Sequence, residues 1–139
     1  MRLRMVAALA GASAVILALV TWYALEGREV VVLRTMDANG SVRETRVWVA
    51  EADGALWIEA ATPERPFYRD LTERRTVELL RGGHRLVLDA TPVPGPDGHA
   101  RIRTLLHRRY GWADDWIGWL QDTSRSVAIR LDAPRSPSD

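Results

Sequence analysis

Residues 29–61, EVVVLRTMDANGSVRETRVWVAEADGALWIEAA, decide the fold. Glu29–Met36 is rich in β-branched side chains and Asp37-Ala-Asn-Gly40 closes it, because Asn-Gly tolerates the positive φ that tight hairpin turns require. Val42–Glu51 follows as a second strand, and Ala52-Asp53-Gly54 turns the chain into a third, Ala55–Ala61. In that third strand Leu56, Ile58 and Ala60 face one way, Trp57 and Glu59 the other. Three strands joined by two short turns predict an antiparallel meander.

Downstream, Thr62-Pro63-Glu64-Arg65-Pro66 breaks the sheet. Thr62 is a candidate helix cap, and Pro66 suits the first turn of a short helix over Phe67–Arg74. Thr76–Arg81 and Arg85–Val93 read as strands joined by Gly82-Gly83, and Pro94–Gly98 as the loop that ends them. Ala100–Tyr110 carries Ile102, Leu105 and Leu106 on one side and predicts a helix. Gly111 interrupts it before a second helical piece, Trp112–Leu120. Val127, Ile129 and Leu131 alternate in a last strand. Six strands with connections this short predict a mainly β fold with helices (α+β) that closes, or nearly closes, into a small barrel without exposed edges.

Upstream, Met5–Leu25 carries no charge over about 30 Å of helix, the thickness of a bilayer core. Arg2 and Arg4 precede it, and Trp22 and Tyr23 stand at its far end as interface aromatics. A cleaved signal would need a small-x-small site, and Trp22-Tyr23-Ala24 does not supply one. The reading is one N-terminal transmembrane helix in a single-pass membrane protein, with membrane lipid as a partner through residues 5–25. The side of the soluble domain stays open: the Arg-flanked tail favours one face, the ligand inferred below the other. The chain divides into an anchor and short linker (1–28), a barrel domain (29–132) and a Pro/Ser-rich disordered tail (133–139).

Two absences narrow the chemistry. The 139 residues include no Cys, which removes thiolate nucleophiles, disulfides and thiolate metal sites. They include no Lys either, which removes Schiff-base chemistry and the Walker A phosphate loop. An anion bound here is held by Arg, backbone N–H groups or hydroxyls. The barrel domain is nearly neutral, which gives no electrostatic case for nucleic acid. His84, His99 and His107 fall at a turn, a loop and a polar helix face without ligand spacing, so no metal site is assigned. No Ser lies in a nucleophile elbow, and no catalytic residue is identified.

Arg34 and Arg46 sit in otherwise apolar strands, where an arginine must face solvent, a carboxylate such as Glu44 or Glu59, or a ligand. Arg65 and Arg69 by themselves read as a solvated helix face, and Trp48 and Trp57 as packing.

The element order, with the strings Val31–Gly40, Arg46-Val-Trp-Val-Ala50, Asp53–Ile58, Arg65-Pro-Phe-Tyr-Arg-Asp-Leu71, Thr76–Leu79 and Arg109-Tyr-Gly-Trp112, resembles the split β-barrel flavin- and deazaflavin-binding proteins. These are the pyridoxamine phosphate oxidase-like group and, within it, the deazaflavin-dependent nitroreductase branch. The resemblance spans about residues 29–132 and implies a six-stranded split β-barrel. It implies F420 or FMN as cofactor, with Thr62, Arg65 and Arg69 at the phosphate and Arg34, Thr35, Arg46 and Trp48 on the ring side. It also implies a homodimer with cofactor sites between subunits. The family often has Lys near Arg65 and Asn at Asp70; here Lys is absent and an acid stands in the phosphate region.

The resulting expectation is a membrane-tethered F420- or flavin-binding oxidoreductase-like protein that reduces a lipophilic acceptor such as a quinone or nitroaromatic. The alternative is a non-catalytic, membrane-anchored dimeric barrel that has lost its cofactor and serves binding or assembly.

Overall fold

The computed structural model describes the backbone of residues 2–26 and 29–134, and the side chains of residues 10–23 and 29–134. Residues 27–28 of the linker and 135–139 of the tail, where disorder was expected, lie outside the described residues. The elements run α1 (Arg2–Glu26), β1 (Val30–Met36), β2 (Val42–Trp48), β3 (Ala50–Ala52), β4 (Ala55–Ala60) and α2 (Pro66–Glu73). They continue with β5 (Thr76–Arg81), β6 (His84–Val93), α3 (Pro96–Tyr110), α4 (Trp112–Leu120) and β7 (Val127–Asp132).

The strands form one antiparallel sheet in the order β2-β1-β5-β6-β7-β4-β3. Seven strands rather than six is a correction with a local cause. The segment Val42–Glu51, expected as one strand, turns a corner at Val49: β2 pairs with β1, and β3 pairs with β4 at the opposite end of the sheet. One residue therefore links the two edges of the sheet, which curls until they meet. Turning the corner removes Val49 from the ladder, and a fully buried backbone without partners would be costly. The Tyr110 hydroxyl restores them, accepting from Val49 N–H at 3.2 Å and lying 2.8 Å from the Val49 carbonyl.

The core fills the inside of the curl. Val31, Leu33, Val47, Ile58, Val77, Leu79, Ile129 and Leu131 alternate inward from their strands and meet Phe67 and Leu71 of α2. A fully buried Leu or Ile of this kind contributes about 1.5–3 kcal/mol, which is what fixes the strand registers. A second cluster lies outside, where Ile102, Leu106 and Tyr110 of α3 cover Ala50, Trp57 and Ala128. This explains why both faces of β4 are apolar: Trp57 lies under α3 and Ile58 in the core.

Helix α3 starts four residues before the expected Ala100, with Pro96 in its first turn in place of the expected loop. Gly98 is obligatory there, since a Cβ would lie 1.9 Å from the Val93 carbonyl oxygen. Gly111, at φ +54°, separates α3 from α4.

The membrane reading is overturned. Among the described residues no helix is long and apolar enough to cross a membrane, so neither the single-pass localisation nor a lipid partner through residues 5–25 stands. The end of α1 is committed to the domain: Trp116 Nε1 donates to Thr21 Oγ1 at 3.1 Å, and Tyr23 stacks on Trp112 with ring centres 6.1 Å apart.

Candidate functional site

A cleft of about 660 Å³ opens where the edge strand β2 comes alongside the end of β4. Its floor is the outer face of the first hairpin, with Val30, Val32, Arg46 and Trp48. Glu59, Ala61, Arg65 and Phe67, from β4 and the start of α2, form one wall. Trp22 of α1 and Ile117 and Gln121 of α4 form the other. The volume lies in the range of about 300–1,000 Å³ usual for small-molecule sites.

Three of the seven residues expected from the sequence, Arg46, Trp48 and Arg65, line this cleft. Trp48 is held in place by Tyr110, stacked with centroids 4.6 Å apart and planes 21° from parallel. Arg65 occupies the N-cap position of α2 and Arg69 stands one turn on. Both are exposed, and neither guanidinium has an ion-pair or hydrogen-bond partner among the described residues. The helix start has no side-chain cap. Thr62, the expected cap, instead hydrogen-bonds Glu64, whose carboxyl is held below its ordinary range first by Arg125 and then by its own backbone and Thr62.

Arg34 and Thr35 are engaged elsewhere. Arg34 pairs with Glu44 across the β1–β2 ladder at 2.7 Å and reaches Glu78 of β5 at 3.8 Å. Thr35 is buried and donates through Oγ1 to Asp70 Oδ2 at 2.8 Å. The same carboxylate oxygen accepts from Arg43 Nε at 2.8 Å. Asp70 thus ties the far end of the first hairpin to α2, and leaves Arg65 and Arg69 alone. No pattern in the sequence could identify Arg43 as its partner, since the two lie 27 residues apart.

Beneath the cleft lies a charge cluster that sequence reasoning missed. Arg103 of α3 bridges Glu59 at 3.1 Å and Asp114 at 2.6 Å, and the Asp114 side chain is 4% exposed. Burial pushes the Asp114 carboxyl above its ordinary range against the pull of Arg103, with Glu59 and Asp115 adding to the rise. Burial also opposes the Arg103 charge, but Glu59 and Asp114 outweigh it and raise its pKa. Asp114 and Asp115 open α4, with the Asp114 side chain turned inward to Arg103 and Asp115 exposed. The Glu59 carboxylate in the cleft wall therefore shares the Arg103 cation with Asp114.

His107, Asp114 and Asp115 bring ligand-type atoms within 4.8 Å of one another. Asp114 Oδ2 is already held by Arg103, and a guanidinium that close opposes a metal cation.

No protein-family model matches the sequence, and no curated protein matches it. Solved structures do. A conserved hypothetical protein from Mycobacterium tuberculosis superposes with a TM-score of 0.61 at 20% identity, over 85% of this chain and 80% of that one. The heme storage protein HutZ from Vibrio cholerae gives 0.60 at 15% identity, over 81% and 87%. An F420 reductase gives 0.54 at 18% identity, over 81% and 93%. At these identities the likeness is one of fold, and the deazaflavin-dependent nitroreductase branch is not singled out by it.

Proposed function

We propose that the cleft binds a planar, phosphate-bearing redox cofactor, F420 or FMN, and that the protein is an oxidoreductase-like member of the split-barrel fold. The observation that carries this reading is the pair Arg65 and Arg69. Neither guanidinium has an ion-pair partner among the described residues; Arg65 stands at the uncapped start of α2 and lines the cleft, and Arg69 follows one turn on. Guanidinium and helix N-terminus both favour phosphate oxygens, so the two act on the same group. Arg46 and Trp48 then border the ring, while Arg34, Thr35 and Thr62 serve the scaffold. When bound, such a cofactor supplies hydride chemistry; this chain supplies the cations that orient it and the apolar walls that exclude water.

The apolar lining from Val30, Val32 and Ile117 suits a lipophilic acceptor of the quinone or nitroaromatic type. Pairing of two copies, as the resemblance implies, belongs to the same reading. Fluorescence titration of the full chain with F420 and with FMN tests it: saturable binding of either supports it, and binding of neither sinks it.

A second reading, a dimeric barrel without cofactor, draws on the charges consumed internally. Arg34 is neutralised by Glu44 and Glu78, and Arg43 by Asp70. It predicts a dimer by sedimentation whose melting temperature ignores both cofactors.

A further inference from the structure

The Trp22 indole is 65% exposed, and the sequence alone reads it as a membrane-interface ring. In the fold it lines the same cleft as Arg46 and Arg65. Its neighbours in α1 fix it there from both sides: Thr21 accepts the hydrogen bond of Trp116, and Tyr23 lies 9° from parallel with Trp112. Trp22 itself has no ring, cation or hydrogen-bond partner among the described residues. Trp48, the other indole of the cleft, already has a face covered by Tyr110. Among the described residues Trp22 is thus the indole of this cleft with no ring on either face. An exposed indole loses the benefit of burial, and a flat ligand lying against it restores that benefit.

We propose that Trp22 is the ring-stacking platform of the cleft, so that α1 is a wall of the binding site and its docking on α4 sets the ring's position. The inference rests on the cofactor reading above and adds a division of labour. Trp22 recognises the aromatic ring system; Arg65 recognises the phosphate. The two make distinguishable contributions, because one is lost with the aromatic surface and the other with the charge.

The test is a titration of the full chain with FMN and with riboflavin, which carries the same ring without the phosphate, following quenching of flavin fluorescence. Trp22→Ala is expected to weaken both ligands by the same factor, roughly five- to tenfold, the size of one aromatic stacking contact. Trp22→Phe should recover most of that loss. Arg65→Gln should weaken FMN and leave riboflavin unchanged. Trp116→Phe, which keeps the ring but frees Thr21, should weaken both flavins to a smaller extent by loosening the wall. The same comparison with F420 and its phosphate-free chromophore covers the deazaflavin case. Thermal melting of each variant separates a lost contact from a lost fold. Wild-type affinity for both flavins in Trp22→Ala overturns the platform and leaves the cofactor reading standing. A loss confined to FMN also overturns it, by moving Trp22 to the phosphate end. No binding of F420, FMN or riboflavin by the wild type removes the cofactor reading, and the platform with it.

Discussion

Arg34 and Arg46 project from the same outer face of the first hairpin, yet they lie in opposite settings. At Arg34 the ladder register places Glu44 directly across and Glu78 on the neighbouring strand, so the guanidinium is satisfied by its own sheet. At Arg46 the residue across is Val32, and beyond it the sheet edge opens into the cleft. Glu59, which also lines that cleft, is held by Arg103. The same contrast repeats on α2. Asp70 points inward to Thr35 and Arg43, while Arg65 and Arg69 are exposed and have no carboxylate partner among the described residues. One end of the hairpin is thus tied up in ion pairs of the scaffold, and the other borders a cavity that Arg46 and Arg65 line.

Substitutions at the two ends should separate accordingly. The largest effect is expected on the scaffold side: Asp70→Ala strands Arg43 and a buried hydroxyl, and should cost about 2–3 kcal/mol in urea unfolding. A loss below 0.5 kcal/mol would show that Asp70 does not tie the hairpin to α2. On the cleft side, Arg65→Gln with Arg69→Gln should lower cofactor affinity about tenfold or more while leaving the urea midpoint in place. If the midpoint falls instead, the pair is structural and the contrast collapses. Arg34→Gln should do little on either count, below about 1 kcal/mol in stability and nothing in affinity, as expected for an exposed pair.

The smallest effect is one of pH. The Glu29 carboxyl is held below its ordinary value of 4.5 by the hydrogen bond from Arg81, against burial and with help from Arg109. Its contribution to stability is therefore complete above that value and fades as pH falls through the lower folded value. Glu29→Gln should be less stable than wild type at neutral pH, with the gap closing on acidification below about pH 4.5. A gap constant down to pH 3 would break the assignment.

Much of the strand pattern was legible because hairpin turns are local. Asn39-Gly40, Asp53-Gly54 and Gly82-Gly83 mark their turns, and β5, α4 and β7 begin and end close to where periodicity places them. The corner at Val49 was not legible. Val42–Glu51 alternates without a break, and what ends β2 is a hydroxyl 61 residues away on Tyr110. The start of α3 was hidden by Pro94–Gly98, whose composition says loop, although Pro96 fits a first helical turn. Arg46, Trp48 and Arg65 were named from the sequence and share one cleft. Arg34, Thr35 and Thr62 were named too, and they are bound by Glu44, Asp70 and Glu64.

By itself the sequence determined where strands and helices lie, that phosphate must meet arginine rather than lysine, and that thiol chemistry is absent. Those properties belong to single residues and to near neighbours, and need no fold to be true. Only the tertiary structure decided which arginines are consumed, because ion pairs form between residues that are distant in sequence. It also decided the role of the apolar N-terminal helix. Hydropathy reads Trp22 as an apolar interface ring; the docking of Thr21 and Tyr23 on α4 places it instead in the lining of the cleft that Arg46 and Arg65 share.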